Sequence, residues 1–132
     1  MWLDIIMEEF WGNLQDKLEG KSESMGRFGC KKWIGQRDGL GYGRMWIRWP
    51  DNRRTIERVH RVAFMVRYRW LRDEFPRGYI QGSILEVSHL CHQKLCINTL
   101  HMVIETHSIN QSRNHCRAQG QCSNDHLPRC IL

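Results

Sequence analysis

Cysteine and histidine, the residue types that most often bind zinc, are concentrated in the last third of the chain. One group, spaced by six, four and four residues, contains three cysteines and one histidine, the donor set of a tetrahedral structural zinc site. An earlier group, spaced by five and five residues, lacks one ligand of such a set. The complete group is Cys116, Cys122, His126 and Cys130, and the incomplete group is Cys91, Cys96 and His101.

Cys30 is assigned to the first group by elimination, because it is the one cysteine of the six that belongs to neither group. We therefore expect two zinc sites, each with three cysteines and one histidine, that stabilise a loop-rich region. His92 or His115 could replace a ligand in either site. The spacings are not those of a C2H2 finger or a zinc ribbon, and the alternation of cysteine with histidine fits a set of disulfides poorly.

A histidine and an asparagine beside the first group have the chemistry that phosphodiester hydrolysis needs. His89 ends a predicted strand, and Asn110 lies in the first turn of the helix predicted to follow. A neutral imidazole can deprotonate water at pH 7, and a carboxamide oxygen can hold Mg²⁺, which keeps most of its waters. From spacing alone, the commoner interpretations are a histidine that binds zinc or hydrogen-bonds to a zinc ligand, and an asparagine that caps a helix.

The charge distribution favours a polyanionic partner such as DNA. The chain has 132 residues, enough for one domain, and a net charge of +6. Residues 1–23 carry six acids and two bases, a net of −4, which leaves 18 bases and eight acids, a net of +10, for the remainder. A part of the chain with this positive charge attracts phosphate backbones. A basic surface without a nucleic-acid partner is equally compatible with the charge.

The cysteines are expected to be reduced. The N-terminal residues MWLDIIMEEF have no basic segment followed by a long apolar run, so they do not predict a signal peptide. No stretch approaches the length of a membrane span. We therefore expect an intracellular protein, with the nucleus as one option, in which thiols are free to bind metal.

The first half of the chain predicts a helix, a linker and a hairpin. Residues 2–19 form an amphipathic pattern that packs on the domain, and residues 20–29 are polar and glycine-rich, as in a linker. Residues 40–49 alternate as a strand, and residues 53–59 return after a turn that begins at Pro50. The apolar helix positions are Leu3, Ile6, Met7, Phe10, Leu14 and Leu18.

The second half predicts two helices and two strands around the loop that is rich in cysteine and histidine. The second of these helices is expected to begin with a side-chain cap. In chain order the elements are a helix over residues 60–72 ended by Pro76-Arg77-Gly78, a strand over 84–88, a strand over 101–105, and a helix from Thr106 or Ser108 to about Cys116.

Tryptophan could serve the core or the bases of a nucleic acid. The chain has six tryptophans, and aromatic rings can stack on bases. In a small domain they more often anchor the core, which is where we expect Trp46 and Trp49. Since alternate residues of a strand face the same way, Arg44 and Arg48 share a face with Trp46.

The run SHLCHQKLCINTLHMVIETHSINQSRNHC, from Ser88 to Cys116, closely resembles the His-Cys box homing endonucleases, which belong to the ββα-metal (His-Me finger) nucleases. In that family the histidine two residues before the first loop cysteine is the general base, and an asparagine twenty-one residues later binds the catalytic Mg²⁺. His89 and Asn110 stand at these positions. The residues matching the family's zinc ligands in this run are Cys91, Cys96, His101 and Cys116.

Upstream, the resemblance implies a hairpin arginine that contacts the scissile phosphate. The family has an early cysteine, a hairpin with Arg-Trp, and then His-Arg, an order that Arg48-Trp49 and His60-Arg61 follow. Arg48 is therefore the first candidate for this role and Arg44 the second, with an ordinary DNA contact as the alternative for Arg48. The arginines expected along a DNA groove are Arg44, Arg48, Arg53, Arg54 and Arg58.

These inferences predict an α+β protein with a zinc-stapled ββα-metal (His-Me finger) nuclease fold, an N-terminal helix and a basic β-hairpin. Residues 1–132 form a single domain, and residues 30–132 form its zinc-bound nuclease core. The expected function is metal-dependent DNA cleavage, and the resemblance implies products with 5′-phosphate and 3′-hydroxyl ends. In this scheme His89 takes a proton from water, Asn110 holds Mg²⁺ and Arg48 holds the phosphate.

Other functions remain open on the sequence. The main alternative is a catalytically silent, zinc-stabilised DNA-binding module, and a protein that binds or cuts RNA is another. The family's dimer is secured by a segment beyond the last zinc ligand, and the sequence ends at Leu132. Both a monomer that nicks one strand and a homodimer that cuts two are therefore considered.

Overall fold

The computed structural model of the protein describes residues 2–26, 29–71, 75, 85–122 and 126–132. These residues form helices and antiparallel strand pairs, which confirms the expected α+β class. A 3-10 turn, Thr99–His101, precedes the last strand. The elements are α1 (Trp2–Gly20), β1 (Ser22–Met25), β2 (Cys30–Trp33), β3 (Arg44–Arg48), β4 (Arg54–Arg58), α2 (Val59–Tyr68), β5 (Leu85–His89), β6 (Met102–Thr106) and α3 (His107–Gln119).

The N-terminal helix packs on the domain, as its amphipathic pattern predicts. Trp11, Leu14 and Leu18 are buried in the main hydrophobic core, and α1 contacts α2. Their spacing of three and four residues places them on one face of the helix. Leu3, which the pattern also assigned to that face, is 70% exposed. The apolar face that packs on the core therefore begins at about Met7.

The expectation of a linker over residues 20–29 is wrong, because this segment contains β1. Strand β1 pairs antiparallel with β2, with Ser22 opposite Trp33 and Met25 opposite Cys30. Both inner residues of β1 are exposed, so the sequence carries no apolar alternation to mark a strand. The backbone hydrogen bonds to β2 supply the stability that side-chain burial does not.

Trp33, the last residue of β2, packs the β1–β2 strand pair into the main hydrophobic core. Its side chain is almost fully buried, and its indole N–H donates to the carbonyl of Gln36 at 2.9 Å. A Cβ atom on Gly43 would lie 2.5 Å from this ring. Only glycine lets the backbone approach the indole so closely at this position. That approach holds the start of β3 against β2.

Strands β3 and β4 form the predicted hairpin. Arg44 pairs with Arg58 at one end and Arg48 with Arg54 at the other. The inward residues of β3 are buried and its outward residues are more exposed, the period-two pattern of a strand with one face on the core. Asn52, with φ of 74°, lies in the turn between the strands.

The structure separates the two tryptophans that were assigned to the core. Trp49 is buried against Phe10, and its indole N–H donates to Thr55 Oγ1 at 2.7 Å, which confirms its core position. Trp46 is 46% exposed, so its assignment to the core is wrong. The cause is its position in β3, because residues that alternate with buried Met45 must face outward.

Helix α2 follows β4 directly and ends earlier than predicted. Arg69 adopts a left-handed conformation, with φ of 54° and ψ of 43°, and its N–H donates to the carbonyls of Met65 and Val66. These bonds satisfy carbonyls that the helix leaves open, so the helix stops at Tyr68 rather than at residue 72. The predicted stop at Pro76-Arg77-Gly78 lies outside the described residues.

Strands β5 and β6 pair antiparallel and lead into α3. His89 lies opposite Met102, and α3 packs against both strands. Thr106 caps the helix by accepting a hydrogen bond from the Ile109 N–H at 3.3 Å. Gly120, with φ of 68°, closes its C-terminal end. Among the helices in the described ranges, none combines the length and hydrophobicity that a membrane span requires.

Candidate metal centres and active site

The first metal centre lies where β2, the loop after β5 and the 3-10 turn meet. Cys30, Cys91, Cys96 and His101 are all buried, and their four ligand atoms lie within 4.8 Å of one another. His101 Nδ1 lies 3.5 Å from Cys30 Sγ and 3.6 Å from Cys96 Sγ. Tetrahedral zinc with ordinary bond lengths sets sulfur and nitrogen about 3.6 Å apart. The spacing and the donor chemistry therefore fit zinc.

The second metal centre lies at the C-terminal end of α3. Its four ligand atoms, from Cys116, Cys122, His126 and Cys130, also lie within 4.8 Å of one another. His126 Nδ1 lies 3.2 Å from Cys116 Sγ, 3.7 Å from Cys122 Sγ and 4.0 Å from Cys130 Sγ. These distances also suit one tetrahedral ion. Both centres, each with three cysteines and one histidine, therefore fit a structural zinc ion.

The eight ligands predicted from the sequence are the eight that the fold brings together. All six cysteines are free thiols, so the disulfide alternative finds no support in the structure. Cys30, which was assigned by arithmetic, joins the first site from a distant strand. His92 and His115, the two possible substitutes, belong to neither cluster in the described residues.

His89 is held by the first zinc centre through one hydrogen bond. Its Nε2 lies 2.9 Å from the backbone carbonyl oxygen of Cys96. A carbonyl can only accept, so Nε2 must carry the proton, and the neutral ring keeps its lone pair on Nδ1. Burial lowers the pKa of His89 below 6.5, which keeps the imidazole neutral at pH 7. The ring is therefore neutral and held in one orientation, as a general base requires.

A second histidine supports the ring of His89 from the N-terminal end of α2. The ring centroids of His60 and His89 are 4.7 Å apart, and the ring of Tyr42 also packs on His60, with centroids 5.3 Å apart. Burial holds the pKa of His60 well below 6.5, so no second positive charge opposes the ring of His89. Arg58 lies over Tyr42 at 4.1 Å and pairs with Asp38 at 3.1 Å.

Asn110 faces the strand pair from the first turns of α3. Its side-chain Nδ2 donates to Glu86 Oε1 at 2.5 Å, and the same oxygen lies 3.1 Å from His107 Nδ1. Thr106 already caps this helix, so the interpretation of Asn110 as the capping residue is wrong. Helix capping therefore does not explain the position of this side chain.

The outer face of the β3–β4 hairpin presents four arginines around an apolar pair. Trp46 lies opposite Ile56 in the register, and both are exposed. The four arginines of this face are Arg44, Arg48, Arg54 and Arg58. Arg53, the fifth arginine predicted to contact DNA, lies beside the turn and pairs with Asp51 at 2.6 Å.

The two candidates for the phosphate contact lie at opposite ends of this face. Arg44 lies beside Arg58, near Tyr42, and its Nε is buried without a hydrogen bond from the described residues. Arg48 is exposed beside Arg54 and the turn. Four residues of strand separate their Cα atoms by about 13 Å. The two arginines therefore reach different points along a bound phosphate backbone.

A buried ion pair links β6 to α3 and to the second zinc centre. Arg113, which is 1% exposed, donates to both carboxylate oxygens of Glu105 at 2.6 and 2.8 Å. Another of its nitrogens donates to Cys130 Sγ at 3.4 Å. Hydrogen bonding to Glu105 raises the pKa of Arg113. The pair was not singled out in the sequence, where an isolated glutamate and arginine are ordinary surface residues.

We expect Arg113→Met to lower the free energy of unfolding of the zinc-loaded protein by about 3–5 kcal/mol, because it leaves the Glu105 carboxylate buried without a partner. Replacing both residues, as Glu105→Leu with Arg113→Met, should cost less than the single change. Urea unfolding followed by circular dichroism, with zinc content checked for each variant, measures this difference. A double variant less stable than Arg113→Met would contradict the assignment.

Comparison with protein families identifies the chain. A family profile described as the zinc-binding loop region of homing endonuclease matches residues 33–132. The chain belongs to this homing-endonuclease zinc-binding-loop family. The match includes seven of the eight zinc ligands together with His89 and Asn110, while Cys30 lies just before it. Comparisons with curated proteins and with solved structures gave no match.

The family match agrees with zinc-binding clusters in this part of the chain but does not itself define the fold around His89. In the described residues, β5, the zinc loop, β6 and α3 follow one another as strand, loop, strand and helix. His89 ends the first strand of this unit and Asn110 lies on its helix. The resemblance seen in the sequence thus corresponds to a contiguous structural unit.

Proposed function

We propose that the protein is a metal-dependent DNA endonuclease whose catalytic unit is the ββα-metal arrangement of β5, β6 and α3. One observation carries the proposal: in a chain of the homing-endonuclease family, the carbonyl of zinc ligand Cys96 fixes the tautomer of His89. This bond leaves the lone pair on Nδ1, where a general base can use it to take a proton from water. Asn110, on the adjoining helix, supplies the oxygen donor.

The mechanism begins with proton transfer to His89. Its Nδ1 accepts a proton from a water molecule, and Nε2–H remains on the Cys96 carbonyl, so the imidazolium formed keeps its orientation. The resulting hydroxide attacks phosphorus in line with the 3′ oxygen that leaves. Asn110 would hold Mg²⁺ through its carboxamide oxygen, a hard donor suited to that ion. When bound, Mg²⁺ neutralises charge on the phosphate and on the leaving oxygen.

The hairpin face provides the DNA-binding surface of this proposal. Four arginines on one side of a two-stranded ribbon match the phosphates that border a groove, and the exposed Trp46–Ile56 pair between them can contact base edges.

A protein that acts on DNA must work in a compartment that holds DNA, and we propose that this compartment is the nucleus. A monomer would cut one strand, whereas a homodimer would bring two sites to the duplex.

Arg48 is proposed to hold the scissile phosphate, and Arg44 is the matched comparison. Loss of the arginine that stabilises charge in the transition state should lower the cleavage rate of bound DNA by about 10²–10³-fold. Loss of an arginine that contacts another phosphate should weaken DNA binding and reduce its salt dependence instead. We expect slower cleavage of bound DNA for Arg48→Ala, and weaker, less salt-dependent DNA binding for Arg44→Ala. Single-turnover cleavage measures the first effect, and DNA binding at several salt concentrations measures the second. The reverse pattern would assign the phosphate contact to Arg44.

The chemistry of the product ends tests the proposed reaction. Water attack in line with the 3′ oxygen leaves a 5′-phosphate and a 3′-hydroxyl. DNA ligase should therefore reseal the nicks without prior treatment by a phosphatase or kinase. Ends that carry a 3′-phosphate would contradict the mechanism, because the leaving oxygen would then be the 5′ one.

A further inference from the structure

Glu86, a residue that the mechanism above does not use, lies directly beside Asn110. It is the second residue of β5, and its side chain is 18% exposed. Its Oε1 receives the 2.5 Å hydrogen bond from Asn110 Nδ2 and lies 3.1 Å from His107 Nδ1. Both partners lie in the first turns of α3. The carboxylate therefore links the strand of the proposed base to the helix of the proposed metal ligand.

A carboxamide is useful to a hard cation in only one of its two orientations. Its oxygen can bind the ion, whereas its NH₂ group is a donor and repels it. A carboxylate, by contrast, can only accept hydrogen bonds. When Glu86 faces Asn110, the favoured orientation places NH₂ toward Glu86 and turns Oδ1 away from it. Within the described part of the chain, no hydrogen-bond donor occupies Oδ1.

We propose that Glu86 is the positioning residue that orients the Asn110 carboxamide so that Oδ1 is presented to the divalent cation. The inference rests on the proposed function, since it assigns a role to the ligand of that same site. His107 contacts the same carboxylate oxygen from α3 and so restricts the rotation of Glu86. Outer partners that orient a ligand typically change metal affinity by about 10–100-fold when they are removed.

The test measures cation binding at Asn110 without using cleavage. Zinc-loaded, ¹⁵N-labelled protein is titrated with Mn²⁺, an oxygen-preferring substitute for Mg²⁺, and the concentration that half-broadens the backbone signals of Ile109 and Gln111 is recorded. Glu86→Ala should raise this concentration by about tenfold or more. Unchanged zinc content and an otherwise conserved spectrum show that the variant is folded.

Asn110→Asp distinguishes orientation from direct ligation by Glu86. A carboxylate at this position has two oxygens and no wrong orientation, so Glu86 is no longer needed to turn it. In the Asn110→Asp background, Glu86→Ala should weaken Mn²⁺ binding much less than it does beside Asn110, because only the attraction of a nearby negative charge for the cation is then lost. Equal weakening in both backgrounds would show that Glu86 acts on the cation itself, as a ligand or through its charge, and would overturn the positioning role.

The inference and the proposed function fail in different ways. If the wild-type protein cuts DNA and Mn²⁺ broadens the signals next to Asn110, but Glu86→Ala leaves the midpoint unchanged, the positioning role is wrong and the nuclease stands. If Mn²⁺ produces no broadening near Asn110 in a wild-type protein that also leaves DNA intact, both are wrong.

Discussion

Replacing His89 with alanine is expected to lower the single-turnover rate of DNA cleavage by about 10²–10⁴-fold, the usual contribution of a general base. The physical reason is that Nδ1 carries the lone pair of the ring, because Nε2 donates its proton to the Cys96 carbonyl. DNA affinity should change little, because the proposed binding face lies on the β3–β4 hairpin. The rate is measured with enzyme in excess over a labelled duplex or plasmid.

His115→Ala is the matched control for this experiment. His115 is an exposed histidine on α3 that belongs to neither metal cluster in the described residues, so its loss should leave the cleavage rate and the zinc content unchanged. His89→Ala should also keep both zinc ions, because His89 contributes no ligand atom to either cluster. Cleavage by His89→Ala at the wild-type rate would remove His89 from the mechanism.

Loss of one zinc ligand is expected to have the largest effect on stability. Structural zinc contributes about 10–16 kcal/mol to the folding of small domains, which is comparable to the whole stability of a typical domain, about 5–15 kcal/mol. Cys30→Ser should therefore reduce the bound zinc from two ions to one and abolish cooperative unfolding of the part of the chain around the first centre. Elemental analysis and thermal unfolding followed by circular dichroism measure both quantities.

The same substitution should also abolish cleavage, because the carbonyl that holds His89 belongs to a ligand of that centre. His115→Ala again serves as the control, with two zinc ions and normal unfolding expected. A Cys30→Ser protein that keeps two zinc ions and unfolds as the wild type does would show that Cys30 is not a ligand.

The metal centres could be predicted from the sequence because the donor types are few and their chemistry is restrictive. With six cysteines in the chain, two sets of three cysteines and one histidine leave no cysteine unassigned. Arithmetic therefore placed Cys30 with ligands that follow it by some sixty residues, and the fold confirms that placement. The helices and the hairpin were predictable because their apolar residues recur with the period of each element.

The neighbours of the candidate site could not be predicted, because they come together only through packing. Glu86 reaches Asn110 across the β5–α3 contact, and His60 meets His89 only when α2 docks on β5. Strand β1 was missed for a related reason, since its pairing with β2 depends on backbone hydrogen bonds that polar side chains do not signal. Local patterns carry no information about such contacts.

Mg²⁺-dependent nicking of supercoiled plasmid tests the central claim most directly. Zinc-loaded wild-type protein is incubated with plasmid first without Mg²⁺ and then with it, because a chelator would also remove zinc. We predict nicked circles only after Mg²⁺ is added, and the ratio of nicked to linear product then reports whether one strand or two are cut. Intact plasmid under conditions in which the protein binds DNA with steep salt dependence would contradict the account and identify a zinc-stabilised DNA-binding module instead.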